Sequence, residues 1–230
     1  MTTTRTFIAT AAGAVSAEIV SPIGTVTVTT DLTITNAVIT VSTPAEDGPR
    51  AEAVEHATHS EWSSHRTEVI RVEVPEPQAS QTHQFQSDGA ETVTVDVRLP
   101  GNGSSVLLTS NSADLTVHGD LHTLRFHSGS GGVHAEGVHT LQAVTATGDI
   151  EAQRVDHRVD VATNSGDVNI GAYSGSEFRV HSANGNVRVS ATPAAGGEME
   201  IRTSSGDITT RHTAHLDERI ITDSGDHYRR

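Results

Sequence analysis

Through the second half of the chain, apolar and polar residues alternate with a period of two on both sides of a recurring glycine. That is the pattern of half-buried β-strands meeting at a corner. Aligned on the corner, the positions are Ala113, Gly131, Gly148, Gly166, Gly185, Gly206 and Gly225, at intervals of 18, 17, 18, 19, 21 and 19 residues. Apolar side chains stand seven residues before it (Val106, Leu124, Leu141, Val159, Phe178, Met199) and five before it (Leu108, Phe126, Ala143, Val161, Val180, Ile201, Ile220). They recur two residues after it (Leu115, Val133, Ile150, Val168, Val187, Ile208) and four after it (Val117, Ala135, Ala152, Ile170, Val189). Each copy predicts a strand, a tight corner, a second strand and a connector of variable length. Units repeating at so short a period cannot bury a face alone, and they stack to share one core.

The expected fold is all-β: a single-domain parallel β-solenoid of about seven coils of 17–21 residues with an N-terminal β cap. At about 4.8 Å per rung the stack is roughly 30 Å long. Residues 1–92 are the cap, with a polar and helical insertion near 44–91, and residues 93–230 carry the repeats. Within the cap, residues 19–30 already show the repeat's spacing through Ser21, Gly24, Val26 and Val28, and residues 32–35 and 37–41 continue the alternation. Residues 50–62 can form a short helix, which would set His56, His59 and His65 on one solvated face. The polar stretch 75–91 reads as a mobile loop. In the last copy the inward positions become His227 and Arg229, so residues 220–230 are expected to cap the stack.

The corner phrase, as in Thr203-Ser-Ser-Gly-Asp-Ile208, carries the only recurrent chemistry. A hydroxyl stands three residues before the glycine (Ser110, Ser128, Thr145, Thr163, Ser182, Thr203, Thr222), and Asp114, Gly132, Asp149, Asp167, Asn186, Asp207 and Asp226 follow it. Gly131, Gly148, Gly166, Gly185, Gly206 and Gly225 would supply a positive φ, Asp149, Asp167, Asp207 and Asp226 would cap the turn, and the hydroxyls would bond freed backbone groups or one another. The competing reading is a Ca²⁺-collecting aspartate column. One carboxylate per coil is too few for a cation that takes six to eight oxygens, so the corner is read as architecture.

Composition narrows the function classes. Hydrophobic residues make up 34% and aromatic residues 3% of the chain, so the core must be aliphatic. The net charge is −14 and all 15 basic residues are arginine, which disfavours nucleic acid and anionic membranes as partners. With no cysteine there are no disulfides and no thiolate chemistry. No run of about 18 apolar residues is present, and the N-terminal residues read as strand rather than signal peptide. A cytoplasmic location is the expectation, with an extracellular one as the alternative. The 14 histidines fall in differing registers and read as scattered surface groups, without metal-ligand spacing. No G-x-S-x-G, P-loop, HExxH or dinucleotide fingerprint occurs, and no carboxylate pair stands apart from the corner column. No catalytic residue, metal ligand or cofactor is expected.

The entry strand from Val93 through Leu99-Pro100, followed by S/T-x-S-G-D-V/I phrases, resembles the bacterial adhesin-type β-strand-repeat family of uncharacterised function, related to toastrack-like domains. Residues 51–62 and 69–77 are similar to that family's head region, and the resemblance spans about Ala17 to Arg211. It implies one all-β repeat fold with a binding role and no established catalytic residues. The expected function is a non-enzymatic scaffold that engages an unidentified protein or glycan, with self-association through solenoid edges as a further expectation. An exported adhesin is the alternative, and a carbohydrate-active enzyme a third reading.

Overall fold

The computed structural model describes residues 2–64, 67–77, 92–101 and 103–230. The chain opens with β1 (Thr3–Ala12), β2 (Val15–Val20), β3 (Ile23–Asp31) and β4 (Asn36–Thr43). Helix α1 (Pro49–Glu55) follows, then β5 (Thr58–Ser64), β6 (Thr67–Glu73), β7 (Thr94–Pro100) and β8 (Ser105–Ser110). Three long strands come next: β9 (Ser112–Ser130), β10 (Val133–Thr147) and β11 (Ile150–Ser165). Beyond them the connectors lengthen and each coil divides. These shorter strands are β12 (Val168–Tyr173), β13 (Glu177–Asn184), β14 (Val187–Ala191), β15 (Glu198–Ser205), β16 (Ile208–Arg211), β17 (Asp217–Ser224) and β18 (His227–Arg229).

The strands make a parallel β-solenoid with two faces. Strands that enter the corner pair in the order β6–β2–β8–β9–β10–β11–β13–β15–β17. Strands that leave it pair as β7–β3–β9–β10–β11–β12–β14–β16–β18. The long strands contribute a segment to each face because they run on through the back bend. Between the faces, the four apolar columns of the repeat are buried from Val106 to Ile208. Tyr173 packs edge-on against Phe178, with ring centroids 5.0 Å apart, where the aliphatic columns leave room for rings.

The N-terminal segment does not simply precede the stack. The β2–β3 rung lies between the β6–β7 rung and the β8–β9 rung, with Ile19 paired to Val72 on one side and to Leu108 on the other. The chain therefore lays down one rung, leaves it, and returns to cover both of its edges. Antiparallel additions extend the outer end: β4 on β7, β1 on β4, and β5 on β6. The outermost strands then meet. Phe7 of β1 lies 4.8 Å from the His59 ring of β5, and the Thr10 amide donates to Glu61 at 3.0 Å. Helix α1, begun by Pro49, buries Ala51, Ala53 and Val54.

Three local expectations change. Residues 32–35 are a turn, because the Asp31 carboxylate accepts the Thr33 amide at 2.7 Å and its hydroxyl at 2.6 Å. The helix stops at Glu55, and residues 58–64 form β5, whose Thr, Ser and Trp side chains suit the antiparallel pairing with β6. His56 and His59 consequently share no helix face, and His65 lies outside the described residues. The polar stretch 75–91 lies outside them from residue 78 onward.

Candidate functional site

At the corner column, an ideal Cβ on Gly148, Gly166, Gly185, Gly206 or Gly225 would stand 2.0–2.2 Å from the carbonyl oxygen of the preceding corner glycine. No side chain fits there. Gly131 meets Ala113 in the same way, and Gly24 meets the Val93 carbonyl at 2.0 Å. The expected reason for glycine was a positive φ, yet Gly131, Gly166 and Gly185 do not have one. Close approach of stacked backbones is what the whole column shares.

The aspartates cap forward along the stack. Oδ1 of Asp114 accepts the Gly132 amide at 2.9 Å, that of Asp149 the Asp167 amide at 2.8 Å, and that of Asp167 the Asn186 amide at 2.8 Å. Asn186 and Asp207 continue the series onto Asp207 and Asp226, at 3.0 Å each. Gly132, having no side chain, interrupts it for one rung. Burial opposes ionisation of Asp167, but bonds from the Asn186 amide and side chain and from Arg188 outweigh it and hold the carboxyl below its usual range. The hydroxyl column behaves differently from expectation. Ser110 accepts the Ala113 amide at 2.7 Å, and Thr145 and Thr203 donate to the Gly131 and Gly185 carbonyls at 3.2 and 3.5 Å, whereas Ser128, Thr163, Ser182 and Thr222 have no hydrogen-bond partner among the described residues.

On the outer surface of the corner-entering face, one column crosses five rungs in register: Val144, Ala162, His181, Arg202 and Ile221. Val144 is 49% exposed and Ile221 37% exposed, both large for aliphatic side chains on a sheet surface. Beside this column the small side chain of Ala183 leaves a depression, and together they form an open groove of about 590 Å³ running across the strands. Val144, Ala162, Ala183 and Ile221 line it among hydroxyl, amide and charged side chains, and no Phe, Tyr or Trp does. Arg202 is held at the rim by Glu200, to whose Oε1 its Nε donates at 2.7 Å, and that bond keeps the Glu200 carboxyl below its ordinary value.

The histidines are more ordered than their spacing implied. The rings of His122 and His139 stack at 5.1 Å with a 12° interplanar angle, and those of His139 and His157 at 5.0 Å with 15°. This corrects the reading of scattered groups. The missed signal was present, since His122, His139 and His157 each lie nine residues before their corner glycines, Gly131, Gly148 and Gly166. On the opposite bank, His118 contacts Glu136 at 3.1 Å and His134 contacts Glu151 at 3.2 Å. Among the described residues no three His, Asp or Glu side chains converge closely enough to hold a metal ion as they stand.

Two stacked faces and tight glycine corners define a two-faced parallel β-solenoid with an open groove on one outer surface. The chain belongs to the Toastrack DUF4097 family, whose model matches residues 27–227. A crystal structure from Bacteroides fragilis, described as a "putative adhesin", has a TM-score of 0.56 at 11% sequence identity and covers 100% of this chain and 97% of its own. Two structures from Parabacteroides distasonis, described as a "putative adhesin" and a "putative lipid binding protein", have TM-scores of 0.46 and 0.47 at 14% and 11% identity. They cover 99% and 97% of this chain, and 97% and 96% of their own. At 11% identity the likeness to the Bacteroides fragilis structure is one of fold. No curated protein matches the chain. No helix among the described residues is long and apolar enough to cross a membrane.

Proposed function

We propose that this protein is a non-enzymatic interaction scaffold whose corner-entering face binds a protein segment laid across its rungs. The observation that carries the reading is the groove of about 590 Å³ beside the Val144–Ile221 column, within the size range of binding pockets, where exposed Val144 and Ile221 stand among hydroxyl, amide and charged side chains. A polypeptide, with aliphatic side chains and backbone amides together, matches that mixed lining, whereas a glycan would want an aromatic ring to stack on. The corner column is a structural spine in this reading: Gly131, Gly148, Gly166, Gly185, Gly206 and Gly225 let the backbones touch, and Asp149, Asp167 and Asp207 tie successive rungs. No catalytic residue or cofactor is assigned.

The test is retention of host proteins on the immobilised protein, beside an Ala183→Arg variant that fills the groove and an Asn169→Arg control on the other face. A polypeptide held by the wild type and the control but lost from Ala183→Arg supports the reading. Equal retention by all three, or retention of glycans alone on a parallel array, overturns it. Fractionation of the host then distinguishes a cytosolic scaffold from an exported adhesin.

A further inference from the structure

We infer that His122, His139 and His157 form a surface seat for a divalent transition-metal ion of the zinc, nickel or copper class. In a parallel stack, equivalent positions on neighbouring rungs repeat at about 4.8 Å, so side chains of one type are brought side by side three times over. Here the rings lie nearly parallel with centroids 5.0 and 5.1 Å apart. Two imidazoles sharing a tetrahedral ion at about 2.0–2.1 Å hold their nitrogens about 3.4 Å apart. Exposed rings reach that separation by tilting their nitrogen edges together, with no change in the backbone. His139 belongs to both pairs, and water completes the coordination.

Two further observations favour ligation by this stack. Unlike His118 and His134, which lean on Glu136 and Glu151, these three rings form no hydrogen bond among the described residues, so their nitrogens are free to ligate. The flanking charges also favour a cation. Arg154 is engaged by Asp120 and Asp156, and Arg158 by Asp160 and Glu177, so four carboxylates surround two guanidinium groups. With those carboxylates occupied by arginine, imidazole is the available donor, and imidazole selects zinc, copper or nickel over calcium or magnesium. The corner aspartates supply no comparable seat, since one oxygen of each capping carboxylate already holds an amide of the next rung.

The experiment is calorimetric titration of untagged protein with zinc and nickel chloride at pH 7.5, repeated on His139→Gln and on His127→Gln, a histidine outside the stack. The expected result is one saturable site of the wild type, weakened at least tenfold in His139→Gln and unchanged in His127→Gln. His122→Gln and His157→Gln, which each leave one pair intact, fall between. Binding should also weaken as the pH is lowered, because protons compete for the ligating nitrogen. Circular dichroism of each variant reports whether the fold is kept. Absence of a saturable site in the folded wild type, or equal affinity in a folded His139→Gln, overturns the assignment.

Discussion

The backbone amide of Asp167 donates to Oδ1 of Asp149 across 2.8 Å, so the side chain of one rung closes the corner of the next. Removing the acceptor in Asp149→Ala leaves that amide to water and is expected to lower Tm by about 2–4 °C. Asp149→Asn should keep the wild-type value, because Asn186 accepts the Asp207 amide in the same way at 3.0 Å. Thermal unfolding followed by circular dichroism decides. A loss of equal size in both variants would assign the effect to charge and not to the cap.

Gly166→Ala places a methyl group 2.1 Å from the Gly148 carbonyl, and both backbones must part to admit it. The expected cost is about 1–3 kcal/mol, read as a Tm lowered by several degrees. Gly196→Ala is the control, with nothing within 4 Å of the new carbon. If the two variants unfold together, close stacking is not what the column requires.

Tyr173 is buried, its hydroxyl makes no hydrogen bond of good geometry among the described residues although the Glu177 backbone amide lies near it, and burial pushes its phenol up to about 12. Deleting an unpartnered hydroxyl removes a desolvation cost and keeps the edge-on contact with Phe178. Tyr173→Phe is therefore expected to match or exceed the wild type in denaturant midpoint. A loss above about 0.5 kcal/mol would show that the hydroxyl is bonded in solution.

Asp167 has a folded-state pKa below the ordinary aspartate value of 3.8. A depressed carboxyl contributes stability that is present above the unfolded value and lost as pH falls through the folded one. Tm measured from pH 6 to pH 2 should fall through that window, and Asp167→Asn should fall less steeply over the same range. A variant whose acid slope equals that of the wild type would place the linked proton elsewhere, with Glu136 the next group to substitute. The Gly119 amide, followed by His118, holds the Glu136 carboxyl low in the same sense.

Much of this architecture was legible because two periods coincide. Alternation at two marks strands, and recurrence at 17–21 residues marks rungs, so the columns through Leu124, Phe126, Val133 and Ala135 could be placed inside before any coordinates. The histidine stack was legible too, once positions are counted from the glycine that follows instead of the one before. The connector absorbs the length differences and the register shifts between Val138 and Thr140, so only the count forward to the next glycine aligns His139 with His157. The N-terminal segment was harder. Thr58–Ser64 adjoins good helix formers, and only its pairing with Thr67–Glu73 makes it a strand.

The rung was written in the local pattern of the chain: which residues face inward, where the corner falls, and that the core is aliphatic. These follow from local sterics and the pleat, which act between near neighbours in the chain. Tertiary structure alone decided that β2–β3 sits between β6–β7 and β8–β9, because any aliphatic rung can pair with any other and covering both edges of the first one settled the choice. It also decided the groove. Val144, Ala162, His181, Arg202 and Ile221 are 77 residues apart end to end and become one surface only when the rungs stack.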